Sequence, residues 1–475
     1  MRAPLKHRAP LLFSVLALAC AQQAAPNPSP EDRFYFPTSL NFLLPPGATS
    51  GILYVASANY DRRYDQGNLL AVNLDRVVAS TNSEGAGITP IVGLPAPGTL
   101  GSDLALIPAF TDLATDAGDA VQIQSFAGEM LRDPEGYGGR PRLWVATRAE
   151  GDLLEGISTD PGGEGLVCIP AGNNCVYSGI SLAVEQEPQN GVGLPAAPQP
   201  YGLALSRDDS LVPGELWVTH IRPADSPPTS GLDLDNFVVH LDARAALPTV
   251  TVPNSFVSVG LGSGNSLVVG QSNVWVSGRA QLSITALDVL MRVVDRYTDT
   301  TFFPQVGLQY AATEARGLAM RSDESRIYLV GNEPDVLMVV DVQDPQDQFP
   351  VLTVVRAVPL PAGPNAIRLI ERPGIADVLV ITCQTDGSVA IYDDGIGQLA
   401  VIVEGVGIAP YDVAVDQRGD LARFFVSNFD DGRVSIIEAT LGEPAQPIDA
   451  RIVATLGQQQ GCILATNNAS CVGSQ

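Results

Sequence analysis

The chain has 475 residues and a formal net charge of −25 at pH 7, with 52 acidic and 27 basic side chains. This excess of acidic residues excludes nucleic acid as an expected partner, because the phosphates would be repelled. Lys6 is the only lysine, so Schiff-base and lysine general-base chemistry are excluded from everything that follows it.

The first 19 residues predict a signal peptide. Arg2, Lys6 and Arg8 precede an apolar stretch, residues 11–19, that is too short to span a bilayer permanently. The sequence Ala17-Leu18-Ala19-Cys20 resembles the lipobox of bacterial lipoproteins, although that family usually has Leu at the first of these positions. Ordinary cleavage around Ala19 or Ala21 is the alternative. Residues 20–33, which are polar and proline-rich, are expected to form a flexible tether.

The lipoprotein resemblance implies several acyl chains on Cys20, enough for stable membrane attachment. It also implies sorting to the outer membrane, because Ala21 and not Asp follows the cysteine. We therefore expect an exported outer-membrane lipoprotein that faces the periplasm or the cell surface. No later segment is long and apolar enough to predict a second span.

The remaining cysteines predict two local disulfides, Cys168 with Cys175 and Cys462 with Cys471. The second would staple a C-terminal tail over residues 458–475. Cys383 follows an apolar run and is expected to be a buried, inert thiol. The spacing does not match a thiolate zinc site, so no metal ligands are assigned.

One pattern recurs seven times along the chain: a large, usually aromatic residue between apolar neighbours, followed by small or polar residues. The large residues are Tyr54, Trp144, Trp217, Trp275, Tyr328, Leu379 and Phe425. A shorter apolar strand, often opened by proline as at Pro364 and Pro410, precedes the copies, and further strands follow several of them. Four short strands joined by Gly, Asp and Asn turns predict a meander.

These strands are apolar on consecutive residues, so both faces of each sheet must be covered. No comparable number of helical patterns is available, and radial stacking of the sheets provides the cover. We therefore predict an all-β chain: a β-propeller over residues 34–457, with seven four-stranded blades. The uneven early spacing predicts insertions at about 110–142, with a helix near 120–131, and at 150–199.

The order of proline, apolar strand, Tyr or Trp followed by Val, turn, and a strand ending in Asp is similar to the YVTN-repeat β-propellers. That family includes surface-layer-like and lactonase-like proteins. The resemblance is clearest over residues 314–457 and concerns core and turn residues, so it implies the fold more than the function.

Propeller ligands usually bind where the innermost strands begin, at one end of the central channel. The register predicts a ring of polar residues at this mouth, suited to a small polar or anionic ligand. The predicted ring consists of Thr38, Asp103, Tyr201, Asn265, Arg316, Asn365, Tyr411 and Asp412. In the alternative, Arg316 pairs with Glu314 and the other residues only solvate the channel. His220 is added as a candidate close to the mouth, although a structural role is favoured for it and for His240.

No catalytic residue is assigned, because the chain lacks a nucleophile elbow, a Walker motif and a Rossmann fingerprint. Acid-rich turns such as 233–236 and 430–432 have the oxygen ligands that calcium prefers, but no twelve-residue calcium loop. Calcium therefore stays open and no other cofactor is expected.

The leading hypothesis is a non-enzymatic binding or scaffolding lipoprotein. Its partner would be an envelope protein, a glycan or a small polar ligand. A lactonase-like hydrolase that uses the channel mouth is the second hypothesis, and an assembly factor for outer-membrane proteins is the third.

Overall fold

The computed structural model describes residues 27–79, 91–100, 107–116, 118–148, 153–170, 172, 174–182, 199–221, 235–249, 256–261, 264–278, 283–288, 305–307, 314–347, 350–442 and 447–458. Within these residues nearly all regular structure is β-strand, with one short 3-10 helix at Cys175–Tyr177. The predicted signal peptide, Cys20, Asp103, Cys462 and Cys471 lie outside the described residues.

The strands form a series of separate sheets, and within each sheet the neighbouring strands are mostly antiparallel. The first sheet has the order β1-β2-β3-β6 and consists of β1 (Pro37–Leu43), β2 (Ile52–Ser57), β3 (Gly67–Asn73) and β6 (Ala120–Ile123). The second has the order β10-β9-β8-β7, with β11 also paired to β9, and consists of β7 (Ala127–Tyr137), β8 (Arg140–Thr147), β9 (Leu153–Ser158), β10 (Val167–Ile169) and β11 (Ile180–Ser181).

The next four sheets are simple four-stranded meanders. The third sheet consists of β12 (Pro200–Leu205), β13 (Glu215–His220), β14 (Asp235–Asp242) and β15 (Phe256–Leu261), and the fourth of β16 (Gly264–Val269), β17 (Asn273–Gly278), β18 (Ser283–Asp288) and β19 (Gln305–Gly307). The fifth sheet consists of β20 (Glu314–Met320), β21 (Arg326–Asn332), β22 (Val336–Gln343) and β23 (Val351–Pro359). The sixth consists of β24 (Pro364–Ile370), β25 (Val378–Cys383), β26 (Ser388–Asp393) and β27 (Gln398–Val403).

The last sheet has six strands in the order β28-β29-β30-β31-β5-β4. It consists of β28 (Pro410–Arg418), β29 (Leu421–Asn428), β30 (Arg433–Thr440) and β31 (Asp449–Leu456), extended by β4 (Val78–Ala79) and β5 (Ala109–Asp112). Thus β4 and β5, which lie between β3 and β6 in the chain, leave the first sheet and join the last one.

The first strands of the sheets line a central channel and contact one another in a closed series, β1, β7, β12, β16, β20, β24 and β28, with β28 again contacting β1. This arrangement is a β-propeller, which confirms the predicted fold class. The predicted four-stranded blade is present in several of the sheets but not in all of them. In six sheets the four core strands follow one another in the chain, the first sheet is interrupted by β4 and β5, and two sheets carry extra strands.

The repeated large residue occupies the second strand of its sheet at every copy. Tyr54, Trp144, Trp217, Trp275, Tyr328, Leu379 and Phe425 are all fully buried. They pack into hydrophobic clusters that join strands of neighbouring sheets, as radial stacking requires. The interpretation of this register as one repeated strand is confirmed.

Two expectations for the first half of the chain are wrong. The helix expected near 120–131 is replaced by β6 and the start of β7, so the segment assigned to an insertion contains blade strands. Residues 27–33, expected within a flexible tether, bond to the first sheet and the loop before β3: Asn27 donates its backbone N–H to Asp65 (2.7 Å), and the Ser29 hydroxyl donates to the carbonyl of Gly67 (3.0 Å).

The C-terminal sheet is held to N-terminal segments by backbone and side-chain bonds. The backbone N–H of Thr455 donates to Pro108 (3.0 Å), and that of Gly457 donates to Phe110 (2.9 Å), in a parallel pairing of β31 with β5. Buried Arg423 donates to the carbonyl of Pro95 (2.8 Å). The ring is therefore closed by long-range contacts in addition to the stacking of its sheets.

Candidate functional site

Most of the predicted ring residues do meet at one end of the channel. They line a small cavity where the inner strands begin, and the predicted residues among its walls are Thr38, Tyr201, Asn265, Asn365, Tyr411 and Asp412. The cavity volume that the centre of a water molecule can occupy is about 20 Å³. This volume holds about one ordered water.

Glycines at the start of the inner strands allow those strands to approach closely. A Cβ on Gly202 would lie 2.3 Å from the carbonyl oxygen of Asn265, and one on Gly128 would lie 2.9 Å from that of Tyr201. Such contacts are too short for any side chain, so only glycine fits at these positions. The close approach keeps the channel narrow at this level.

Asp412 is held by four hydrogen bonds and ties the first, sixth and last sheets together. One carboxylate oxygen accepts from the Ser39 hydroxyl (3.2 Å) and the backbone N–H of Leu40 (2.9 Å). The other accepts from Val413 N–H and from Arg368, both at 2.8 Å. Because a fully bonded carboxylate gains little from a further donor, Asp412 primarily organises the mouth.

Two tyrosines cross the channel. The hydroxyl oxygens of Tyr201, from the third sheet, and Tyr411, from the last sheet, lie 2.8 Å apart. Arg148 lies over the ring of Tyr201, with its guanidinium carbon 5.3 Å from the ring centroid. Burial raises the pKa of Tyr201 well above its ordinary value. Tyr201 therefore stays neutral, and the two hydroxyl groups form a bridge that narrows the channel.

Glu129 on β7 is the main cavity residue that the sequence analysis missed. Its carboxylate accepts from the backbone N–H of Leu203 (3.0 Å) on the adjacent inner strand. Burial raises the pKa of Glu129 to about 7, with Arg368 opposing this shift and Asp412 adding to it. It takes the place in the ring that the register had given to Asp103, since the inner strand of the second sheet begins at Ala127.

Arg316 does not line the cavity. It forms an ion pair with Glu314 (2.8 Å), as the alternative interpretation expected. The cationic residue of the cavity is instead Arg368 on β24, whose side chain is 38% exposed and paired with Asp412. Arg368 lies in the predicted β24 strand, but it is further from the start of that strand than the residues of the predicted ring.

The two histidines of the propeller lie away from the cavity. His220 is buried at the end of β13, where it pairs in register with Pro200, and it is not among the cavity walls. His240 stacks on Trp217 (4.7 Å between centroids) and bonds to Glu215 (3.2 Å). Neither His220 nor Arg316 lines the cavity, so the structure does not favour a lactonase-like site built on these two residues.

Aromatic side chains form a continuous cluster beside the mouth. We call Phe36, Tyr60, Phe126 and Phe429 the aromatic patch. The ring of Tyr60 meets Phe126 edge-on at 5.7 Å and Phe429 at 5.5 Å, and Phe429 stacks on Tyr411 at 5.6 Å. Tyr60 is 56% exposed, so the cluster runs from the surface to the tyrosine bridge. The loops that carry it form the mouth face of the propeller.

Cys168 and Cys175 form the predicted disulfide (S–S 2.04 Å). It is consistent with export to an oxidising compartment. Cys383 is buried, and burial raises the pKa of its thiol to about 12, as expected for an inert cysteine.

Within the described residues, no group of three or more His, Cys, Asp or Glu side chains is placed to hold a metal ion. In the acid-rich turn at 430–432, Asp431 is paired with Arg433 (2.9 Å). Over the same described part of the chain, no helix is long and apolar enough to cross a membrane.

Comparison with solved structures agrees with the fold. The chain is similar to Kuenenia stuttgartiensis hydrazine synthase, with 11% identity, a TM-score of 0.52, and coverage of 88% of this chain and 99% of that one. A putative 6-phosphogluconolactonase from Bacteroides fragilis is also similar, at 12% identity and a TM-score of 0.39, over 79% of this chain and 95% of the other.

At these identities the similarities concern the fold alone. No family model matches the chain. No curated protein matches it either.

Proposed function

We propose that this protein is a non-enzymatic binding module of the cell envelope, anchored through Cys20 and engaging its partner with the mouth face. The observation that carries the proposal is the contrast between the channel and the surface beside it. The cavity has room for about one water. Its polar side chains are already paired, Arg368 with Asp412 and Tyr201 with Tyr411. Tyr60, by contrast, presents its ring to solvent.

Exposed aromatic residues on a rigid support are typical of binding surfaces. The aromatic patch has such a support, because Phe36 is buried and packs against Phe429 at 5.1 Å between centroids. The inner strands of the sheets begin at this mouth face.

Photo-cross-linking in a Gram-negative host tests this proposal. A benzophenone amino acid replaces Tyr60 in the full chain, and the matched control replaces Tyr137, which is 50% exposed as the last residue of β7, at the end of that strand away from the mouth. We expect a reproducible adduct from position 60 and none from position 137. Equal labelling from both positions, or none from position 60, would refute a mouth-face partner.

A hydrolase that uses the channel is the competing function, and Glu129 is the observation in its favour. A carboxyl group with a pKa of about 7 suits general acid–base catalysis. Purified protein should therefore be assayed against a panel of sugar lactones, with Glu129→Gln as the test variant. We expect no turnover; turnover that the Glu129→Gln variant loses would establish the hydrolase and overturn the binding proposal.

A further inference from the structure

The chain enters the propeller on the mouth face. Asn27 bonds to the loop between β2 and β3: its side-chain amide donates to the carbonyl of Arg63 (2.8 Å), and its carbonyl accepts from the N–H of Asp65 (3.0 Å). The same loop carries Tyr60. Its residue Asn59 donates to the Ser125 hydroxyl (3.0 Å), next to Phe126. The N-terminal entry point and the aromatic patch therefore share one face.

The distance from this entry point to the expected anchor is short. Cys20 precedes Asn27 by seven residues, which span at most about 25 Å when fully extended. If Cys20 is acylated, as the proposed function assumes, a tether of this length holds the mouth face close to the bilayer. The opposite face, which carries Tyr137, points away from it.

The mouth face also has the chemistry of a membrane interface. Tyr60 is 56% exposed, and Ile408, whose carbonyl accepts from the N–H of Asp430 (3.3 Å) next to Phe429, is 45% exposed. Tyrosine favours the headgroup level, where its ring is apolar and its hydroxyl is hydrated. The guanidinium carbon of Arg62 lies 5.2 Å from the centroid of Phe126, so a cation accompanies the rings and could reach lipid phosphates.

Charge indicates which kind of lipid surface fits. The formal net charge of −25 opposes attraction to an anionic bilayer. Near the patch, Asp61 pairs with Arg63 and Asp431 pairs with Arg433, both at 2.9 Å, whereas Asp430, next to Phe429 in the chain, is exposed. The contact is therefore apolar and interfacial, and a zwitterionic surface suits it better than an anionic one.

We infer that the partner of the mouth face is the lipid surface itself: the aromatic patch, with Tyr60 at its tip, rests in the headgroup region of the membrane that anchors the chain. This inference rests on the proposed mouth-face function and identifies its partner. The propeller then stands with its channel mouth against the bilayer and its opposite face free.

Tryptophan fluorescence with brominated phospholipids tests this orientation. The full chain carries Tyr60→Trp or, as the matched control, Tyr137→Trp, and it is reconstituted after expression into phosphatidylcholine vesicles. The native indoles are buried, so they give a common background. We expect the indole at position 60 to shift to the blue and to lose more than about half of its emission to the brominated lipid. The emission of the indole at position 137 should neither shift to the blue nor be quenched by the brominated lipid.

A second arm keeps the orientation testable if Cys20 is not acylated. The chain from Cys20 onward, with Cys462→Ser and Cys471→Ser, is coupled through the Cys20 thiol to a maleimide phospholipid in the same vesicles, since Cys168 and Cys175 form a disulfide and Cys383 is buried. Equal quenching at positions 60 and 137 in this arm overturns the membrane contact. A photo-cross-link from position 60 to a protein with no quenching there also overturns it but leaves the proposed function standing. Absence of both signals overturns the two together.

Discussion

Glu155 is a buried carboxyl group whose ionisation should set the pH dependence of stability. It is fully buried on β9, and one carboxylate oxygen accepts from the backbone N–H of Gln124 (2.7 Å). Burial raises its pKa to about 8. Because the folded state holds this proton more tightly than the unfolded chain, the associated stability is complete below the unfolded pKa near 4.5. It is lost as the pH rises through about 8.

We therefore expect Glu155→Gln to unfold at higher urea than the wild-type protein at pH 9, and at similar or lower urea at pH 5. The pH-dependent part of the difference should be on the order of 4 kcal/mol, since each pKa unit corresponds to about 1.4 kcal/mol. Urea midpoints at pH 5, 7 and 9 measure it. The exposed Glu404→Gln variant is the control. A Glu155→Gln effect that does not vary with pH would contradict the assignment.

At the scale of elements, the loop at 91–100 is fastened to the last sheet by a buried ion pair. Arg423 and Glu438 bond to each other, Arg423 also donates to the carbonyl of Pro95 (2.8 Å), and Glu438 accepts from Gly98 N–H (3.1 Å). Arg423→Met would leave Glu438 buried and unpaired, which costs about 3–5 kcal/mol. Urea denaturation should show this loss. The double variant with Glu438→Leu should recover part of it, and no recovery would indicate a simple packing defect.

The sequence predicted the apolar strands correctly, but it did not predict β7, which contains polar residues. The second strands were recognised because each places a large buried side chain in the same register, as Trp217 and Tyr328 do. Strand β7 was missed because Glu129, Asp133 and Pro134 interrupt its apolar pattern. This one error removed Glu129 from the predicted ring and left Asp103 in its place.

At the scale of the whole molecule, the repeats predict the ring but not the contacts that close it. A local pattern reports which residues face a sheet interface, so the ring of Thr38, Tyr201, Asn265, Asn365, Tyr411 and Asp412 could be inferred. The pairing of β5 with β31 joins segments more than 300 residues apart, at Phe110 and Leu456 for example. No periodicity of either segment indicates its partner, because backbone hydrogen bonds carry the pairing.

Phe110 should be the residue on which ring closure depends most directly. Its side chain is fully buried in a cluster with residues of both the first and the last sheet, such as Leu70 and Leu456. We expect Phe110→Ala to cost about 3–5 kcal/mol and to accelerate amide exchange selectively in β1–β3 and β28–β31. Exchange in native conditions resolves such regional opening. Leu379→Ala, in a cluster between the fifth and sixth sheets, is the control and should accelerate exchange there. If both variants accelerate exchange in the same sheets, the ring opens as one unit and β5 is not its closure.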